Sequence, residues 1–426
     1  MKVAFYTLGC KTNQFETQAL ERMFCERGHE LVPFSQPADI YIVNTCTVTA
    51  LADRKSRNAA RRAKKLNPDA LLIVYGCYAQ MRPDEARELC GADIVLGSAE
   101  KERIVDIAEG AASPPVHDLW RQREAEFGFM PAGGLSGRTR ALLKIQDGCQ
   151  NFCTYCIIPY ARGPLRSLDP DLAVAEAVRL AEEGYAEIVI TGIEISSYGL
   201  ENEAYPSLAA LLDRLCAAVP GTRIRLGSLE PRTVNAEFVR ICAAHGNICP
   251  HFHLSLQSGC DRTLRRMNRK YSAAEYLAAC RLLRKAFPFC AITTDLIVGF
   301  PGETEADFEE SLDFIRQCEL TQVHVFPYSR RQGTPAHDMP QQLTAADKAR
   351  RAARAADICG GLKADFMRRL VGQTLPVLFE QPEDGGYIGH CPQYCTVWAA
   401  GDGLQGKIRE VRLLRSDEEK LYGEII

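Results

Sequence analysis

The segment Ala141-Leu142-Leu143-Lys144-Ile145-Gln146-Asp147-Gly148-Cys149-Gln150-Asn151-Phe152-Cys153-Thr154-Tyr155-Cys156 joins an apolar, strand-like run to three closely spaced cysteines. The spacing is C-x3-C-x2-C. Three thiolates on one short loop can hold three corners of a [4Fe–4S] cube and leave the fourth iron without a protein ligand. Such an open metal position can bind a substrate, as it does in catalytic zinc sites. Zinc itself and plain packing are the competing readings, but a zinc site needs a fourth ligand and the loop has no histidine. A strand leading straight into this loop suits folds that place their chemistry at the C-terminal ends of strands.

Further strand candidates follow at 186–190, 223–227, 251–256, 292–298 and 322–328, with helical segments between most of them. The clearest helix is 171–183, with Asp169 as N-cap, Pro170 at its first position and Gly184 just past its end. Six βα units are too few for a closed eight-stranded barrel, so an open, partial (β/α)6 barrel is expected. Upstream, apolar runs at 3–8, 39–45, 71–75 and 93–96 alternate with helices at 13–27, at 50–66 and from Pro83. That alternation predicts an α/β domain with a doubly wound parallel sheet. The expected bounds are 1–112 for this first domain and 113–138 for a linker marked by Pro114, Pro115, Pro131, Gly133, Gly134 and Gly137. The barrel is expected over 139–340, a basic helical connector over 341–370, and a small β-barrel of short strands over 371–426.

The 426 residues are 46% hydrophobic and 25% charged, ordinary globular composition, with a formal net charge of −3. No apolar run is long enough to span a bilayer. The N-terminus opens directly on a strand-like run without a signal-peptide layout, so a cytoplasmic protein is expected. Any nucleic-acid contact must then come from local basic patches. Eighteen cysteines in a reducing compartment point to metal ligation, catalysis or burial. Many, such as Cys25, Cys90, Cys216, Cys242, Cys249, Cys280 and Cys318, read as small buried hydrophobes. Cys10, Cys46 and Cys77 differ, because each ends a predicted parallel strand. In a doubly wound sheet those ends share one edge, where ligands bind. Gly9 and Gly76 would let the backbone approach a bulky cluster. Three buried thiols are the competing reading.

The triplet resembles the signature of the radical S-adenosylmethionine (SAM) superfamily. With Cys10, Cys46 and Cys77 added, the chain resembles the methylthiotransferase family over essentially its whole length. Thr7-Leu8-Gly9-Cys10-Lys11-Thr12-Asn13-Gln14 and Asn44-Thr45-Cys46-Thr47-Val48-Thr49 look like the branch acting on N6-threonylcarbamoyladenosine in tRNA. The resemblance implies a [4Fe–4S] cluster on Cys149, Cys153 and Cys156 whose open iron is chelated by SAM. It implies an auxiliary [4Fe–4S] cluster on Cys10, Cys46 and Cys77 that supplies or relays sulfur, and a C-terminal RNA-binding module of the TRAM type. A 5′-deoxyadenosyl radical would take hydrogen from C2 of the modified adenine, and a second SAM would methylate the inserted sulfur. The implied partners are tRNA, an electron donor such as flavodoxin or ferredoxin, and a sulfur source. The rival substrates are isopentenyladenosine in tRNA and a ribosomal protein; the rival class is a non-catalytic iron–sulfur RNA-binding protein.

The resemblance also names contacts. Tyr155 is expected near the SAM adenine. Gly192 and Glu194 align with the segment for the SAM amino group, although the family often has Asn or His where Glu194 stands. Glu230, Gln257 and Asp295 lie on or beyond predicted strand ends and are expected to bind SAM; solvated turn residues are the competing reading. The turn at 299–304 is expected to start a helix, and 328–334 matches a family motif. Cys391 and Cys395 read as barrel packing. Arg54, Lys55 and Arg57 head a basic helix expected to meet phosphates, and Lys407, Arg409 and Arg412 form a similar patch in the tail. Tyr387, Tyr394 and Trp398 are candidates for base stacking.

Overall fold

The computed structural model describes residues 1–99, 101–113, 126–133 and 139–426. The first part of the chain runs β1 (Lys2–Thr7), α1 (Lys11–Glu26), β2 (Glu30–Leu31), β3 (Ile40–Thr45), α2 (Ala50–Leu66), β4 (Leu71–Gly76), α3 (Cys77–Met81), α4 (Pro83–Glu88), β5 (Ile94–Leu96) and α5 (Ile104–Ala108). Its five strands are all parallel, in the order β2-β1-β3-β4-β5. The apolar runs of β3 and β4 are buried almost throughout, as central strands covered on both faces must be. The order reverses beside β1, so the crevice between β1 and β3 is the switch point where such sheets bind ligands. Cys10 and Cys46 follow those two strands, and Cys77 opens α3 directly after β4.

The second part runs β6 (Arg140–Asp147), α6 (Ile158–Arg162), β7 (Arg166–Ser167), α7 (Pro170–Glu182), β8 (Glu187–Gly192), α8 (Leu208–Ala218), β9 (Arg223–Leu226), β10 (Ser228–Leu229) and α9 (Ala236–Ala244). It continues through β11 (His251–Leu254), α10 (Asp261–Arg266), α11 (Ala273–Ala286), β12 (Ala291–Val298), α12 (Glu305–Gln317), β13 (Gln322–Pro327) and α13 (Pro335–Asp338). Six principal strands are parallel; β6-β8-β9 and β10-β11-β12-β13 form two runs joined by a bridge from Ile224 to Ile248. The result is an open (β/α)6 barrel. Two-residue β2, β7 and β10 were not expected, since two residues carry no periodicity to read. Helix α1 packs on β6 and β8, so Phe15, Leu20 and Phe24 share one core with Ile190 and Leu212.

The linker expected over 113–138 lies partly outside the described residues, including Pro114, Pro115, Gly134 and Gly137. Its described piece, 126–133, is packed: Met130 and Ala132 are buried, and the Ala132 N–H donates to Glu176 at 2.9 Å. Helix α14 (Ala345–Leu370) carries the basic sequence, but three of its arginines are spent on the barrel. Arg350 pairs with Glu305 at 3.0 Å, Arg351 with Glu303 at 2.6 Å, and Arg354 with Glu309. The tail forms a closed barrel of β14 (Thr374–Glu383), β15 (Gly386–His390), β16 (Thr396–Ala400), β17 (Ile408–Ser416) and β18 (Leu421–Ile425). Cys391 and Cys395 pack in its core. No helix among the described residues is long and apolar enough to cross a membrane.

Candidate active site

A cavity of about 540 Å³ runs through the barrel, and residues of both cysteine sets line it: Cys10 from one, Cys149, Cys153 and Cys156 from the other. The triplet loop leaves the C-terminal end of β6. Gly148 (φ +78°) makes the turn, and a Cβ there would collide with the Pro164 carbonyl. The Cys149 N–H donates to the Gly163 carbonyl at 3.1 Å, and the Thr154 N–H to the Met267 carbonyl at 3.0 Å, which fixes the loop. Arg269 donates from Nη1 to Cys153 Sγ at 3.1 Å. Burial pushes the Cys149 and Cys156 thiols up to about 12, so they need a cationic partner to ionise.

The second set converges at the switch point. Gly9 (φ +109°) brings its loop so close that an added Cβ would lie 3.0 Å from Cys46 Cβ and 3.2 Å from its Sγ. Asn13 Nδ2 donates to the carbonyls of Leu8 at 2.7 Å and Thr45 at 3.1 Å, stapling the two strand ends together. Burial raises the Cys46 thiol to about 11 and also raises Cys77. Arg162 Nε donates to Cys77 Sγ at 3.2 Å. In neither set do all three sulfurs lie within 4.8 Å of one another. Thiolates on one zinc at 2.3 Å would sit about 3.8 Å apart, so the spacing disfavours a single small ion. Three thiols per set, a cation beside each and glycine-lined approaches fit a cubic cluster with one open iron.

Between the two sets lies a buried charge network. Arg162, from α6 just after the triplet, is fully buried and reaches α1, with Nη1 2.5 Å from Glu16 and Nη2 2.5 Å from Asn13 Oδ1. Lys101 also meets Glu16, and Lys144 bridges Glu16 at 3.1 Å and Asp147 at 2.6 Å. Burial alone would raise the Glu16 and Asp147 carboxyls, but Arg162, Lys101 and Lys144 hold both well below the usual range. Burial, with Arg162 close by, lowers Lys101 to about 8.

Of the residues expected at SAM, the structure brings Tyr155, Gly192, Glu194 and Asp295 to the cavity wall. Glu230 and Gln257 are not among its lining residues. Glu230 instead pairs with Arg232 at 3.2 Å, and Gln257 (φ +70°) donates its N–H to the Asp295 carbonyl as part of a sheet bridge. Burial, and Glu230 alongside, raise the Glu194 carboxyl to about 7. Sequence reasoning passed over Lys11, His253, Arg269 and His324, which also line the cavity. His253 Nε2 lies 3.5 Å from the Asp295 carboxylate. Lys11 had a signal, its place after Cys10; the others had none beyond lying near strand ends.

Arg54 and Lys55 are exposed on α2, and Lys407, Arg409 and Arg412 are exposed on the tail barrel. Arg57 departs from its expected role: it is half-buried, 3.4 Å from Tyr78 Oη and 3.8 Å from Glu85. Arg331, in the 328–334 motif, pairs with Asp53 at 2.5 Å and meets Thr47, tying the barrel to the loop after Cys46. The expected stacking role of Tyr394 is corrected. With φ +66° it points into the cavity at the end opposite the triplet, where its Oη accepts from Arg140 at 3.1 Å and its ring stacks on His390.

An open (β/α)6 barrel with a three-cysteine loop after its first strand defines a radical SAM protein, and the family model described as the radical SAM superfamily matches residues 143–315. A second model, described as uncharacterized protein family UPF0004, matches residues 2–97. The threonylcarbamoyladenosine tRNA methylthiotransferase MtaB of Bacillus subtilis is 40% identical, over 100% of this chain and 96% of that protein. The tRNA-2-methylthio-N(6)-dimethylallyladenosine synthase of Moorella thermoacetica is 33% identical, over 99% and 97%. The chain belongs to the radical SAM methylthiotransferase family. Among solved structures, the radical SAM methyltransferase TsrM of Kitasatospora setae shares the fold, with a TM-score of 0.57 at 18% identity over 79% of this chain and 76% of that one.

Proposed function

We propose that this protein methylthiolates C2 of N6-threonylcarbamoyladenosine beside the anticodon of tRNA, giving 2-methylthio-N6-threonylcarbamoyladenosine. The observation that carries the reading is a single cavity lined from both cysteine sets, in a chain whose full length matches the Bacillus subtilis enzyme at 40% identity. Cys149, Cys153 and Cys156 hold one [4Fe–4S] cluster, and Cys10, Cys46 and Cys77 the other. When bound, the clusters and SAM supply the radical, the sulfur and the methyl group. Tyr155, Gly192, Glu194 and Asp295 place SAM against the first set. Arg269 and Arg162 donate to one sulfur of each set and offset thiolate charge. Arg54, Lys55, Lys407, Arg409 and Arg412 meet tRNA phosphates, and an anticodon-loop adenine is accessible because single-stranded bases can be splayed out. An electron donor such as flavodoxin or ferredoxin, a sulfur source and a cytoplasmic setting complete the reading, with functional units at 1–112, 139–340 and 371–426.

The test is anaerobic turnover of the reconstituted protein on an anticodon stem-loop RNA, followed by nucleoside mass spectrometry. The 2-methylthio product is expected from RNA bearing threonylcarbamoyladenosine. Product only from RNA bearing isopentenyladenosine would refute the substrate. Cys10→Ala and Cys149→Ala should each form no product and each keep about half of the iron; loss of all iron from either would contradict one cluster per set.

A further inference from the structure

We propose that Lys11 is a specificity-determining residue, whose ammonium pairs with the carboxylate of the threonylcarbamoyl group on the substrate adenine. The inference deepens the function proposed above and rests on it for the substrate.

Lys11 follows Cys10 directly, at the start of α1, and lines the cavity shared by the two cysteine sets. Its Nζ lies 6.0 Å from the centre of the Tyr394 ring. Among the described residues no carboxylate comes within ion-pair distance of it. The other cations, two arginines near the Tyr394 ring and one beside the triplet, are already engaged. Arg225 grips Glu187 at 2.7 and 2.9 Å, and Arg140 meets Glu380 at 3.0 Å. Arg269 spends its three nitrogens on Tyr271, Cys153 and the Ser255 carbonyl. Lys11 is therefore a cation on the cavity wall with no carboxylate of the described residues paired to it.

The substrate supplies one in the right place. The hydrogen on C2 and the substituent on N6 lie on the same edge of adenine, on either side of N1. A base that offers C2 to the Cys10 set puts its N6 substituent beside that set's own loop, within reach of a lysine on it. An N6 group ending in a carboxylate completes the pair. An apolar N6 group would leave the ammonium desolvated and unpaired, which rejects the wrong substrate as well as holding the right one.

The probes are anticodon stem-loop RNAs carrying either N6-threonylcarbamoyladenosine or its carboxyl methyl ester, bound to the reconstituted holoenzyme. Wild type is expected to bind the acid roughly tenfold to a hundredfold more tightly than the ester. Lys11→Met should abolish that preference, and Lys11→Arg should retain most of it. Equal binding of acid and ester by wild type would overturn the assignment whatever the variants do. So would a Lys11→Met protein that keeps the preference while its SAM affinity falls, since that places the ammonium on the cofactor. These readouts are affinities, so they judge Lys11 even if no product forms; absence of product would count against the proposed reaction alone.

Discussion

Glu194 is a carboxylate in a cavity whose proposed occupant is a cationic sulfonium with an amino group. Burial, with Glu230 beside it, raises its carboxyl from 4.5 to about 7. In the free protein it is thus neutral below that pH, and a cationic ligand must displace its proton. Affinity for SAM should fall about tenfold for each pH unit below 7 and level off above it. Glu194→Gln should bind more weakly, with a flat profile; calorimetric titration of the reconstituted proteins measures both. A flat wild-type profile would remove Glu194 from the SAM site. The same raised value means that the ligand-free fold loses stability as pH climbs from 4.5 through about 7, because the unfolded carboxyl ionises more easily.

At the scale of elements, α6 matters more than its five residues suggest. It carries Arg162, which reaches Glu16 of α1 and the sulfur of Cys77 at the head of α3. Arg162→Met would leave Glu16 buried without its main partner, at a cost of about 3–5 kcal/mol. Thermal unfolding should show the loss, and adding Glu16→Gln should recover part of it; an unchanged melting temperature would mean that Lys101 and Lys144 suffice. Since the Glu16 and Asp147 carboxyls are held below their usual range, this junction's contribution is present above about pH 4.5 and is lost as pH falls. None of this was legible in the sequence, because Arg162 and Cys77 are 85 positions apart and only the docking of two domains joins them. The triplet was legible because its spacing is local. The long parallel strands were legible because burial on both faces writes an unbroken apolar run. Arg54 and Arg57 share one helix and one composition, yet one faces solvent and the other Tyr78, a distinction set by α3.

Across the whole molecule, basic sequence and basic surface are different things. Arg350 and Arg354 of α14 are paired with α12, whereas Arg409 and Arg412 on β17 stay exposed. Reversing both to glutamate should weaken tRNA binding and lower its salt dependence by about one ion for each phosphate that is no longer neutralised. SAM cleavage without RNA should continue. Filter binding across a salt series decides; an unchanged slope would move the RNA path off this barrel.

The barrel that carries those arginines also sends Tyr394 into the cavity lined from both cysteine sets. The exposed basic face of β17 and the floor of the chamber are therefore one inheritance. A foreign RNA-binding module grafted in its place would bring new affinity but leave the chamber open at its base, with Lys11 and the arginines of β6 and β9 facing water. Recombination can exchange this tail only for another that offers an equivalent plug.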